Sequence, residues 1–225
     1  MSATVFVVAI DGPGGAGKST TARAVAARLG LSYLDTGALY RCVALRAGEE
    51  GLALDDGPRI AEIARHLDVR FVAGSEHVTL GERDVTTEIR TPEMSQAASK
   101  VSALPPVREA LVELQRRSAR APGTVAEGRD MGTVIFPEAR LKVFLDATVD
   151  ERARRRVADL RGLGRADAVE EVRAQLAERD ARDSGRAVAP LRRAPDAVVL
   201  DTTDLAFEEV VDRIVAEARA RGIGK

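Results

Sequence analysis

"VFVVAIDGPGGAGKSTTARAVAARLG", residues 5–30, satisfies two nucleotide-binding patterns at once. Gly12, Gly14 and Gly17 spell G-x-G-x-x-G, the fingerprint of dinucleotide-dependent redox enzymes. Read on through Lys18 and Ser19, the same residues spell G-x-x-x-x-G-K-[ST], the phosphate loop. The redox reading asks for an acidic residue about 20 positions on to hold a ribose hydroxyl, and Asp35 could serve. It leaves Lys18 and Ser19 unexplained. A phosphate loop uses both. Backbone N–H groups from Gly14 to Lys18 wrap the β-phosphate at the positive end of a helix. The ammonium reaches the β- and γ-phosphates, and the hydroxyl ligates Mg2+. Gly12, Pro13, Gly14, Gly15, Ala16, Gly17, Lys18, Ser19 and Thr20 are therefore the expected ATP cradle, with an apolar strand before and a helical pattern after.

Beyond this loop, short apolar runs alternate with longer helical patterns, the signature of a parallel sheet wrapped by helices. Strands are predicted at 5–10, 33–34, 124–126, 141–145 and 197–200, and helices at 18–29, 37–46, 105–119, 150–161, 168–183 and 205–221. Thr203 and Asp204 are suited to cap the last helix, and Thr148 with Glu151 forms a capping box. One region breaks the rhythm. "DVRFVAGSEHVTLGERDVTTEI", residues 68–89, alternates polar and apolar residues around the turn signals "AGS" and "LGE", so a small antiparallel meander is expected. "TPE", 91–93, then opens a helix with Thr as cap and Pro at the first position.

The 225 residues are 45% hydrophobic and 31% charged with a net charge of −1, so bulk electrostatics makes no case for nucleic acid or an anionic membrane. A single cysteine, Cys42, rules out an intrachain disulfide framework and fits a reducing compartment. The first apolar run flows straight into "DGPGG", which reads as a core strand, and no stretch approaches the roughly 20 apolar residues of a spanning helix. A cytoplasmic monomer is the expectation. His66 and His77 are isolated and expected at the surface.

Two classes of phosphate-loop protein compete. Guanine-reading switches use Asn-Lys-x-Asp, and this chain contains no asparagine. A kinase instead needs a second anion site, rich in arginine for its planar two-pronged grip on phosphate. "DTGALYR" (35–41), "EGRDMGT" (127–133) and "ERDARDSGRAVAP" (178–190) supply such loops, the first two directly after predicted strands. Ligands bind there in open α/β folds.

Taken with the opening loop, "RHLDVRF", "GRDMGTVIFPEA", "VFLDAT" and "ERDARDSGRAVAPL" resemble bacterial cytidylate kinases over almost the whole chain. The resemblance implies a phosphate-loop kinase core, residues 1–66 and 103–225, with a five-stranded parallel sheet and a short lid near 152–168. A nucleoside-monophosphate-binding insert would occupy 67–102. It implies phosphoryl transfer from ATP to CMP or dCMP with Mg2+. Another monophosphate or small-metabolite kinase, or an ATPase or GTP switch, is the alternative. Carried onto matching positions, the resemblance assigns cytosine reading to Asp130, Arg108 and Ser99, and ribose contact to Asp183 with Arg179 beside it. Thr36 would touch the acceptor nucleotide. Arg41, Arg129 and Arg186 would hold the CMP phosphate and, with Lys18, act on the transferring group. Two carboxylates compete for the metal beside Ser19: Glu127, where related kinases more often carry Asp, and Asp146 at the end of an apolar run. Arg152 and Arg156, one turn apart in "ERARRR", either both face ATP or lie on a solvated basic helix face.

Overall fold

A computed structural model describes residues 5–71, 77–162 and 164–224. The expected turn at "AGS" and Leu163 of the expected lid lie outside the described residues. Along the chain run β1 (Phe6–Asp11), α1 (Lys18–Leu29), β2 (Ser32–Asp35), α2 (Thr36–Glu49), α3 (Gly57–Arg65) and β3 (Val69–Phe71). Then follow β4 (Val78–Leu80), β5 (Arg83–Asp84), α4 (Pro92–Val101), α5 (Pro105–Arg117), β6 (Gly123–Gly128) and β7 (Leu141–Asp146). The chain closes with α6 (Val149–Gly162), α7 (Val169–Ser184), β8 (Val198–Asp201) and α8 (Phe207–Ala220).

β1 is buried along almost its whole length because it is the central strand of a five-stranded parallel sheet ordered β2-β6-β1-β7-β8. Its side chains alternate between faces. Val8 and Ile10 pack with Val25, Leu29 and Ile214 of α1 and α8, whereas Val7 and Ala9 pack with Leu34, Met131 and Ile135. Register then aligns the carboxyl ends: Asp11 lies beside Gly128, and Asp35 beside Glu127. Everything that follows each strand therefore opens onto one rim, next to the loop after β1.

The expected meander is present as β3-β4-β5, antiparallel, with Val69 opposite Leu80 and Leu80 opposite Arg83. Its buried Val78 and Val85 join one hydrophobic cluster with α2, α3, α4 and α5, through Leu39, Ile60, Val101 and Leu111 among others. A smaller cluster, Ala153, Val157, Leu160, Val172 and Leu176, zips α6 to α7 as a helical hairpin.

Three local expectations need correction. α3 was not anticipated, although its signals are present: Asp56 caps the Arg59 N–H at 3.3 Å, Pro58 lies in the first turn, and Ile60, Ala61 and Ala64 are buried. α8 starts only at Phe207, after Ala206 and with no side-chain cap. Thr203 instead donates to Asp201 at 2.6 Å and accepts from the Thr148 N–H at 3.0 Å, tying two rim loops together. The capping box forms by half. Thr148 accepts from the Glu151 N–H at 3.4 Å, but the Glu151 carboxylate turns to Arg155 at 2.9 Å.

Candidate active site

The loop after β1 is shaped by glycine geometry. Gly12 has φ +151° and approaches β7 so closely that a Cβ there would sit 2.1 Å from the Leu145 carbonyl oxygen. Gly17 caps α1 in the left-handed region at φ +80°, where only glycine fits without strain. Lys18 folds back, its Nζ donating to the Pro13 carbonyl at 2.6 Å. Burial, aided by Arg129 nearby, pushes the Lys18 ammonium down to about 7. A cation held this way gains its full charge when an anion arrives.

Ser19 donates to the Glu127 carboxylate, whose Oε1 also accepts from Tyr33 at 3.0 Å. Thr36 donates to the Glu127 carbonyl at 2.7 Å, so the β6 end, α1 and α2 meet at one residue. Asp146 is placed elsewhere: it is exposed, and its carboxylate accepts from the adjacent Ala147 N–H at 2.9 Å. A cleft of about 1110 Å³ opens here, lined by Gly14 to Thr20, Glu127, Arg41, Arg129, Arg156 and Arg179, and bounded on its far side by Leu205, Phe207 and Val210. Gly12 and Pro13 lie behind this lining. Arg156 reaches the cleft and Arg152 does not; Arg152 is buried under the loop.

A second, smaller recess adjoins the cleft, sharing Gly37, Arg41, Ser95, Glu127, Arg129 and Arg179 with it. Deep inside, Arg108 pairs with Asp130, both side chains only 4% exposed. Arg108 also donates to the Ser102 carbonyl at 3.1 Å and lies 5.6 Å over the Tyr40 ring. Toward the cleft, Asp183 gathers the arginines: Arg129 Nε at 2.9 Å, Arg179 Nε at 3.8 Å, and Arg186 Nε on its carbonyl at 3.2 Å. Burial raises the Asp183 carboxyl, but these arginines outweigh it and hold the group below its ordinary value. Positive charge is left in excess. Burial and Arg129 together lower Arg179 to about 9, and burial and Arg108 lower Arg186. The buried Nε atoms of Arg41, Arg108 and Arg179 and Nη2 of Arg186 have no hydrogen-bond partner among the described residues. Such orphaned donors mark a place where an anionic ligand completes the bonding.

Of the residues singled out for this recess, Thr36, Arg41, Arg108, Arg129, Asp130, Arg179, Asp183 and Arg186 all line it. Ser99 does not. It stands one layer back, accepting from Arg182 at 2.9 Å and donating to Asp183 at 3.4 Å, while Ser102 and Ala98 form the wall.

Sequence reasoning missed Asp11. Its two carboxylate oxygens accept the N–H groups of Met131 and Gly132, each at 2.8 Å, and so pin the start of a π-helical turn, Met131–Ile135, that presents Asp130. Burial raises the Asp11 carboxyl to about 6, against those two bonds. Its legible signal was position: an acid closing an apolar strand, next to the first glycine of the loop. Among the described residues, no group of three or more His, Cys, Asp or Glu side chains forms a metal cage, and no helix is long and apolar enough to cross a membrane. His66 and His77 are exposed beside Glu62 and Asp84, as expected, and Cys42 is buried.

Comparison with known proteins agrees with this geometry. A family model described as cytidylate kinase matches residues 8–220. The cytidylate kinase of Klebsiella pneumoniae is 48% identical over 223 residues, covering 98% of each chain. That of Azotobacter vinelandii is 47% identical over 227 residues, covering 99% of each chain. The enzyme of the same name from Chromobacterium violaceum is 49% identical over 212 residues, 94% of this chain and 95% of that one. A phosphate loop, an arginine-ringed recess and full-length similarity converge: this chain belongs to the cytidylate kinase family.

Proposed function

We propose that this chain transfers the γ-phosphoryl group of ATP to CMP or dCMP, giving ADP and CDP or dCDP. The observation that carries the reading is the buried Arg108–Asp130 pair at the floor of a recess whose mouth is ringed by arginines and joins the phosphate loop. A carboxylate there accepts from the exocyclic amino group of cytosine, and a guanidinium donates to its carbonyl and ring nitrogen. Uracil would set an acceptor against an acceptor, costing about 1–3 kcal/mol. Asp183 with Arg179 takes the ribose, and Ser99 acts from one layer back through its bond to Asp183 instead of reading the base itself.

Arg41, Arg129 and Arg186 bind the acceptor phosphate, and Thr36 lies beside it. That phosphate is already an anionic nucleophile, so no general base is needed, and catalysis reduces to positioning and charge stabilisation. Lys18 follows the phosphoryl group from donor to acceptor, and Arg156 covers ATP from α6. Residues 15–20 bind the donor phosphates, supported from behind by Gly12, Pro13 and Gly14, whose N–H is not free for phosphate as expected because Asp180 accepts it at 3.4 Å.

Ser19 and Glu127 suit Mg2+. They offer hard oxygen donors side by side on the cleft wall. The absence of a fuller acidic cage among the described residues fits a cation that keeps several waters and leans on substrate phosphates. When bound, Mg2+ neutralises charge on the donor phosphates. Residues 67–102 act as the acceptor-side subdomain on a core of 1–66 and 103–225, with 152–168 as lid, in a monomer.

A coupled ADP-release assay with ATP and Mg2+, run in parallel with CMP, dCMP, UMP, AMP and no acceptor, tests the reading. Rapid release only with CMP and dCMP is expected. Equal release in every tube would identify an ATPase instead.

A further inference from the structure

Beneath the phosphate loop, one ion pair holds both polar groups of a single glycine. Arg152 in the first turn of α6 donates from Nη1 to the Gly14 carbonyl at 2.9 Å and to Asp180 of α7 at 2.6 Å. Asp180 accepts the Gly14 N–H through its other oxygen at 3.4 Å. Arg152 Nε is fixed in turn on the Ala147 carbonyl at 2.9 Å, at the end of β7. The pair is mostly buried, with side-chain exposures of 8% and 20%. The packing is close: a Cβ on Gly15 would lie 3.1 Å from Arg152 Cβ, and one on Gly14 would lie 3.3 Å from Leu176 of α7.

The consequence follows from peptide geometry. In a planar trans peptide, the carbonyl and the next N–H point to opposite sides. Fixing the Gly14 carbonyl on Arg152 therefore turns the Gly15 N–H away from α6. Nothing intrinsic to the chain keeps it there, because a Gly-Gly peptide turns over at little steric cost. Gly15 already sits at φ +78°. We infer that Arg152 and Asp180 are positioning residues that lock the Gly14–Gly15 peptide with the Gly15 N–H aimed at the ATP phosphates. The inference rests on the nucleotide-binding part of the function proposed above. It also gives α7 a double task. Asp180 braces the donor loop, while Asp183, on the same helix, holds Arg129 and Arg179 on the acceptor side.

The test is Asp180→Asn and Arg152→Lys, with Arg154→Gln on the exposed face of α6 as control. The KM for ATP should rise about tenfold in both variants, as expected for loss of a charge-assisted hydrogen bond. The KM for CMP should stay within about twofold, and Arg154→Gln should match wild type. The sign is diagnostic. Removing a negative charge near ATP would, by relief of Coulomb repulsion alone, tighten binding, so a weaker grip on ATP in Asp180→Asn reports lost positioning. In ADP-bound protein, the Gly15 amide proton should be shifted downfield in wild type and less so in the variants. If Asp180→Asn does not fold, Arg152→Lys, which keeps the charge, carries the same readouts. Unchanged ATP affinity and Gly15 shift, or a parallel rise in both KM values, would overturn the inference. Calorimetric titration with ADP separates this from failure of the kinase reading, since the lock predicts weaker ADP binding in the variants whether or not CMP is phosphorylated.

Discussion

At the scale of single residues, burial and charge make testable statements about chemistry. Asp130 and Arg108 are almost fully buried against each other, so Asp130→Asn keeps the shape and removes the charge that selects an amino group. The preference for CMP over UMP in kcat/KM should narrow by about tenfold or more, matching 1–3 kcal/mol; an unchanged ratio would move base reading elsewhere. Arg186→Ala should instead lower kcat about 100-fold with the preference intact, as for loss of a transition-state donor. Lys18 predicts a pH effect. Its folded value of about 7 lies below its ordinary 10.5, so the unfolded chain binds more protons between those values and the group makes stability rise with pH across that window. ATP should restore the charge, so calorimetry near pH 8 in buffers of different ionisation heat should show proton uptake on binding, absent in Lys18→Gln. Asp11 has the opposite sign. Raised from 3.8 to about 6, it contributes stability that is full below pH 4 and lost as pH rises through 6.

Elements explain why some of this was legible in the sequence and some was not. The loop after β1 is local: its glycines, Lys18 and Ser19 are consecutive, and their spacing alone separates a phosphate loop from a dinucleotide turn. Gly12→Ala is the sharpest probe of that element. A Cβ would collide with the Leu145 backbone at 2.1 Å, so the variant should lose about 3 kcal/mol or more in urea unfolding; wild-type stability would contradict the close packing of β1 on β7. α2 and α7 were foreseeable as helices from their apolar spacing. Their functional faces came only from the family resemblance, because Arg129–Asp183 and Arg108–Asp130 join residues 54 and 22 positions apart. No periodicity reports such pairs. Asp11, Tyr33 and the Arg152–Asp180 brace escaped for the same reason: each acts through a backbone group or a carboxylate brought near only by the sheet register. α3 escaped for a smaller reason, its nine residues offering too short a pattern.

Across the molecule, three of the four hydrophobic clusters among the described residues divide the labour. One joins the sheet to α1 and α8, one joins α2 to α5 and the meander, and one zips the α6–α7 hairpin. The cleft and the recess proposed for the two substrates lie where these bodies meet, bridged by arginines that belong to different bodies: Arg41 from α2, Arg129 after β6, and Arg179 from α7. Such an arrangement brings two polyanions together and offsets their repulsion, which makes direct phosphoryl transfer the central claim. The most direct test follows the phosphorus itself. With γ-labelled ATP, Mg2+ and CMP, the label should appear in the β-phosphate of CDP, one equivalent for each ADP formed. Label released as free phosphate, with CMP left unchanged, would contradict the account.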